Sequence, residues 1–312
     1  MVCVSSSAQQ LPATKAVQIH STVHTSPFTG VLCFDYSILN PPANSGSIAT
    51  LSIDISKQPG GADVSAEGVS DGPGADSSFS QTVLEDNKAV PMISVGLSAP
   101  IGWDVSLSVQ GAAVWLPANA GLPPGGNLFG LQICSRALPG IRTVLAAPYI
   151  DIQTLSIIPP NGTAADLQRY EQDLNKTEAD AGTVGITLGP VAPPAQFSAL
   201  DFVKTIVSYK EQAFKQAWID NSGSVNSLDA KLNAVQAELR RGDYRTAKNE
   251  LDALVHEVDA QAGKHLTPEA VALLKFNSLY LISKLDHGEG GDDGHDHNDH
   301  DDRDQHDDRG TR

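Results

Sequence analysis

Apolar and polar residues alternate along the first half of the chain and recur at steps of three and four along the second. The clearest alternation sets Leu51, Ile53 and Ile55 against Ser52, Asp54 and Ser56, with Trp103, Val105, Leu107 and Val109 of equal quality. A period of two means one face buried and one wet, the mark of an antiparallel sheet. Runs of this kind predict strands at 17–23, 29–38, 48–56, 90–97, 103–109, 113–116, 128–134, 143–146 and 150–157, separated by turn residues with no helix between them. About nine short strands in that arrangement predict an antiparallel β-sandwich or a similar two-sheet fold over 16–160. Residues 58–78, rich in Gly, Ser and Asp, read as a long loop.

Beyond Pro159 and Pro160 the period changes. A polar helix is expected at 164–177, with a thin stripe of Leu167, Tyr170 and Leu174 that would bridge two domains. Residues 182–194 read as a β-like or extended linker, which makes 161–197 the connecting region. Four stronger helices follow within 198–285. The first, 200–218, carries Phe202, Ile206, Tyr209, Ala213 and Ala217; the second, 225–241, carries Leu228, Leu232, Val235 and Leu239. The third, 244–261, shows Ala247, Leu251, Leu254, Val255 and Val258; the fourth, 268–285, shows Val271, Leu274, Tyr280 and Leu281. Gly242 and Gly263 stand where helices end, Asp243 where one begins, and Thr267 with Pro268 opens the last. Short loops between amphipathic helices predict an antiparallel helical bundle. The fold class is therefore multidomain, all-β followed by all-α.

Charge divides the chain in three. The total of 21 Lys plus Arg against 37 Asp plus Glu gives a formal net charge of −16, which opposes nucleic-acid binding. Residues 1–158 hold few charges and 159–285 a near balance, whereas 286–312 are dominated by Asp and His with no apolar residue to bury. That last segment is expected to be disordered. No stretch is long and apolar enough for a transmembrane helix. At the start, the small residues Ser6 and Ala8 before Gln9 suit a signal-peptidase cut, so 1–15 reads as the residue of a truncated export signal, or as a disordered N-terminus. Val2 before Cys3 does not suit a lipoprotein signal. Cys33 and Cys134 both fall on expected strands; after export they are candidates for a disulfide, and otherwise they are small apolar fillers.

Candidate chemistry is sparse in the β region. His20 and His24 share a strand face but stand about 13 Å apart, too far to chelate one ion. Asp35, Asp54, Asp104 and Asp151 are scattered, and no pair is marked as general acid and base, so a non-enzyme is expected. Trp103 and Trp115 are the candidates for glycan contact, against the alternative that alternating neighbours place them in the core. The C-terminal tail is the candidate metal site: His287, His295, His297, His300 and His306, with Asp296 and Asp299, supply imidazole and carboxylate ligands of the kind zinc and nickel take. Capture by imidazole weakens as pH falls below about 6.5.

The runs Trp218 to Gly223, Ser227 to Leu232, Leu239 to Asp243, Ala247 to Leu251, Glu257 to Lys264 and Glu269 to Leu274 together resemble the FIMAH-type helical module over 218–285. The resemblance implies a bacterial protein that is secreted, periplasmic or displayed at the cell surface, and brings no catalytic residues with it. His256 departs from the usual pattern, yet His265 lies beyond the same helix, so no zinc-protease spacing exists. The expectation is an extracellular or periplasmic binding protein whose tail holds divalent metal ions. The alternatives are a glycan- or matrix-binding adhesin acting through the sandwich and a purely structural surface component.

Overall fold

A computed structural model describes residues 13–27, 29–55, 64–66, 84–85, 88–89, 93–108, 111–150, 162–194 and 196–286. The strands are β1 (Gln18–Thr25), β2 (Leu32–Leu39), β3 (Ile48–Asp54), β4 (Val64–Ala66), β5 (Leu84–Glu85), β6 (Lys88–Ala89), β7 (Ile93–Ser98), β8 (Trp103–Leu107), β9 (Ala112–Pro117), β10 (Asn127–Ser135), β11 (Leu138–Pro148) and β12 (Thr183–Val191). The helices are α1 (Ala164–Ala181), α2 (Ala199–Lys215), α3 (Ser222–Arg241), α4 (Tyr244–Gln261) and α5 (Pro268–Asp286). One sheet runs β1-β2-β10-β7-β4 and the other β12-β11-β3-β9-β8. All pairings within them are antiparallel except β4 with β7. The sheets bury Phe34, Tyr36, Ile38, Leu131 and Ile133 against Leu51, Ile53, Trp115, Val144 and Leu188. Tyr36 meets Trp115 edge-on with ring centroids 6.0 Å apart. Each aromatic places its polar atom on a carbonyl of the core: Tyr36 Oη donates to Leu188 O at 2.9 Å and Trp115 Nε1 to Ser98 O at 2.9 Å.

The structure departs from the sequence reading in several elements. Residues 182–194 are not a linker, because Thr183–Val191 forms β12 and pairs along its whole length with β11. The sandwich therefore extends past 160. The helix α1 does not bridge the two halves: Tyr170 and Leu174 pack on Ile150 and Ala181, which seats α1 on the sandwich beside β11 and β12. Its start is fixed by a capping box between Thr163 and Asp166. Ile150 lies outside any strand, and 151–157 lie outside the described residues. In α3, the Asn221 side chain accepts from Gly223 N (2.7 Å) and Ser224 N (3.3 Å), and so draws Ser222 and Gly223 into the first turn. The expected cap at Thr267 is made by backbone alone: its carbonyl accepts from Val271 N, while Oγ1 has no partner among the described residues.

Helices α2 to α5 enclose a second core of Phe202, Ile206, Leu228, Leu232, Leu251, Leu254, Leu274 and Leu281. The helix α5 serves both cores. Ala270, Leu274 and Leu281 face the bundle, while Ala272 and Leu273 join the sandwich core with Phe276 against it. A helix wedged between two layers is apolar on more than one face, which is why α5 lacks a single stripe.

The helix α2 stops at Lys215, earlier than its pattern suggested, and Ala217 lies beyond it, exposed and at φ 56. Trp218 N closes the end by donating to Ala213 O at 2.9 Å. An L-residue with a Cβ pays about 1–2 kcal/mol for this left-handed conformation, partly offset in glycine by a more flexible unfolded chain. Ala217→Gly is accordingly expected to stabilise the chain by about 0.5–1 kcal/mol, read as a higher urea midpoint with an unchanged slope.

Candidate functional site

The two histidines of β1 point at different partners. His24 Nδ1 lies 2.9 Å from Asp35 Oδ2, and the other carboxylate oxygen of Asp35 accepts from Gln132 Nε2 at 2.8 Å. This ladder crosses β1, β2 and β10 on the sheet's outer face, because Phe34, Tyr36 and Ile133 take the inner one. His20 Nδ1 stands 3.7 Å from Glu269 Oε1 of α5. Of the other scattered acids, Asp54 is level with Ala112 and Asp104 with Leu116 along β9. That offset is about 13 Å, too great for an acid and base to act on one bond. Asp151 lies outside the described residues.

Beside the ladder, Cys33 and Cys134 sit directly opposite in β2 and β10 with Cα atoms 4.0 Å apart, joined as a disulfide. They are 0% and 1% exposed, with Val31 packed against them. Gln132 Oε1 lies 3.3 Å from Cys134 Sγ, a contact without a proton since the sulfur is bonded.

Of the two readings of the tryptophans, core residue or glycan contact, Trp115 takes the first. Trp115 is 0% exposed, with its indole nitrogen occupied, so it presents nothing to a sugar; the alternation that placed it on the inner face of β9 decides this. Trp103 is half-buried and packs against the same core. Among the described residues no group of three His, Cys, Asp or Glu side chains is placed to hold a metal ion. His256 is exposed on α4, and its neighbour Glu257 pairs instead with Lys231 at 2.6 Å. His265 Nδ1 meets Asp220 Oδ1 at 2.8 Å. The tail ligands His287, His295, Asp296, His297, Asp299, His300 and His306 lie outside the described residues.

Several buried polar groups lie where the bundle meets the sandwich or just inside it. The Glu269 side chain is 3% exposed, and its Oε1 accepts from the backbone nitrogen of Ser21 on β1 at 2.9 Å. Asn277, two turns further along α5, donates from Nδ2 to Pro139 O at 3.0 Å. Arg142, 5% exposed on β11, donates from Nε to Pro190 O at 2.9 Å. Burial lowers the Arg142 pKa from its ordinary value, opposed by the charge of Asp54. Burial likewise raises the Tyr36 and Tyr209 hydroxyls above the usual phenol value, opposed in both by Arg142. Two adjoining clefts open here, the first on this seam and the second within the bundle. One of about 280 Å³ lies between Thr22 and Val23 of β1 and Val271, Lys275 and Phe276 of α5. The second, about 270 Å³, is lined by Asp220, Lys264, His265 and Thr267 and shares Gly263 and Pro268 with the first.

No helix of the described residues is long and apolar enough to cross a membrane. Comparison of the whole chain with curated proteins finds no match. The family model of the FIMAH domain matches residues 209–283, from Tyr209 in the middle of α2 to Ser283 near the end of α5. The second half of α2, with α3, α4 and most of α5, is thus similar to a FIMAH domain, and α5 joins it to a β-sandwich.

Proposed function

We propose that this chain is a non-enzymatic binding protein of the bacterial surface or the space outside the cytoplasm, with its C-terminal tail taking zinc or nickel. The observation that carries the location is the FIMAH domain packed on a sandwich with a disulfide, since disulfides persist in oxidising compartments. The chemistry that supports the tail is in the sequence: five histidines among aspartates within 286–312, beginning where α5 ends at Asp286. Lys248 Nζ, 2.6 Å from Asp286 Oδ1, anchors that end of α5 to α4. An adhesin reading that rests on Trp115 loses its support, because that ring is in the core.

Protease shaving of intact source cells should release peptides of this chain, and their recovery only after lysis with both cysteines alkylatable would sink the location. Calorimetric titration of Zn²⁺ into the full chain at pH 7.5 should show micromolar binding. It should be lost at pH 5.5 and in a variant with His287, His295, His297, His300 and His306 changed to Gln. Zinc binding that survives those five substitutions would move the site elsewhere.

A further inference from the structure

Two exposed apolar side chains stand together at one end of the sandwich. Trp103 N donates to Pro100 O at 3.0 Å, which makes Ile101 and Gly102 the centre of a tight turn between β7 and β8. Ile101 is 105% exposed there, so it stands clear of its neighbours. On β10, Phe129 and Gly130 face Ser37 alone, a bulge that leaves Phe129 65% exposed on the outer face. Ser98 pairs with Gln132, and the same antiparallel register carried three residues on sets Ile101 opposite Phe129. A Cβ on Gly130 would lie 3.4 Å from Pro100 Cβ, so the two segments do run side by side.

Single apolar residues on a surface are ordinary, but this pair lies in a zone without charge. Residues 36–53, 89–103 and 105–135 contain no Lys, Arg, His, Asp or Glu, in a chain of formal net charge −16. They supply the loops of this end, which backbone bonds hold together: Gly125 N donates to Asn40 O at 2.7 Å, and Ala118 N to Gly102 O at 2.9 Å. The ionisable side chains that flank the pair are Asp35 and His20, about 8–10 Å from Phe129 on the same face, and Asp104 on the other sheet. Asp35 is already held by His24 and Gln132.

We infer that Ile101 and Phe129 form an apolar anchor that enters the surface of a zwitterionic lipid bilayer. A protruding pair suits a fluid better than a folded partner: a protein would need a pocket shaped to both side chains, whereas lipid tails close around them. Entry of this tip takes no charge out of water, and the acidic remainder of the chain selects neutral over anionic lipid. Trp103, half-buried two residues from Ile101, then comes to headgroup level, where indole rings are favoured. The anchor needs neither the C-terminal tail nor a metal ion.

Flotation of the full chain with phosphatidylcholine vesicles in EDTA tests this. Wild type should rise with the vesicles at millimolar lipid, and less of it should rise when phosphatidylglycerol is mixed in. Ile101→Asp and Phe129→Asp should each lower the partition coefficient about tenfold or more, the worth of burying one such side chain. Leu167→Asp, which alters an exposed leucine of α1, should change nothing. Phosphatidylcholine brominated along its tails should quench the tryptophan fluorescence of wild type and spare Trp103→Phe, because Trp115 is 0% exposed and Trp218 packs on the cores. Absence of flotation overturns the inference, as does flotation that survives both changes to Asp or that grows with phosphatidylglycerol. Should either Asp variant fail to fold, quenching of the wild type decides: none would show that the tip stays in water.

Discussion

Replacing Cys33 and Cys134 together by alanine is expected to lower the unfolding free energy by about 4 kcal/mol. The bridge closes a loop with a sequence separation of 101, and a cross-link over about 100 residues removes roughly 4.7 kcal/mol worth of unfolded-chain entropy. Residual structure in the unfolded chain reduces that figure, and loss of two buried sulfurs adds to the cost. The loop runs from β2 to β10 and so contains β3, β8 and β9 of the opposite sheet. Cutting it frees both sheets in the unfolded state at once. Urea unfolding of the oxidised wild type and the double variant measures the difference, and near-ultraviolet circular dichroism should show the same native packing in both. Because the sulfurs are 0% and 1% exposed, dithiothreitol alone should leave the native wild type unchanged, and should act only once urea opens the fold. A difference under about 1 kcal/mol would mean that β2 and β10 stay associated in the unfolded chain.

What could be read from the sequence was whatever a residue's near neighbours decide. Leu51, Ile53 and Ile55 alternate with polar residues and are all 0% exposed. The stripe Leu228, Leu232, Val235, Leu239 is the buried face of α3, and Gly242 ends that helix at φ 73. The strand β12 was legible only as a β-like or extended linker and not as part of the sandwich, because Gly185, Gly189 and Pro190 are turn formers. Gly189 is there for its neighbour: a Cβ on it would lie 2.8 Å from Arg142 Cγ on β11. The seam between the modules was hidden for the same reason. Glu269 looks like an ordinary first-turn acid, favourable to the helix dipole, and only the backbone of Ser21, 248 residues away, gives it a second task.

The position of α5 changes what the FIMAH domain means in this chain. A helical domain tethered by a linker would leave the sandwich free to move, but here one helix supplies Leu274 and Leu281 to the bundle and Leu273 to the sandwich. Two polar ties, Glu269 to Ser21 and Asn277 to Pro139, fix its rotation as well as its position. Asp286, the last residue of α5, therefore ends a helix built into both cores.

The second large effect is expected inside the bundle, where Lys210 of α2 has a side chain only 3% exposed and pairs with Asp229 of α3. An ammonium taken out of water depends on its counter-ion, and removing one partner of a buried pair commonly costs about 3–5 kcal/mol. Asp229 is 37% exposed, so water already screens part of the attraction and the cost should fall near the lower end. Asp229→Ala is expected to destabilise by about 3 kcal/mol in urea unfolding. Lys210→Met combined with Asp229→Leu should recover to within about 1 kcal/mol of wild type, because apolar residues of similar length fill the same space without a desolvation penalty. The comparison separates two roles that the single variant confounds. Recovery by the apolar pair would mean that the charges do not hold α2 on α3, and that the cost of Asp229→Ala is that of a stranded ammonium. If the apolar pair stays as unstable as Asp229→Ala, the ion pair itself sets the register of the two helices. If Asp229→Ala costs less than about 1 kcal/mol, the four-carbon stem of Lys210 is long enough to carry its charge to solvent once released.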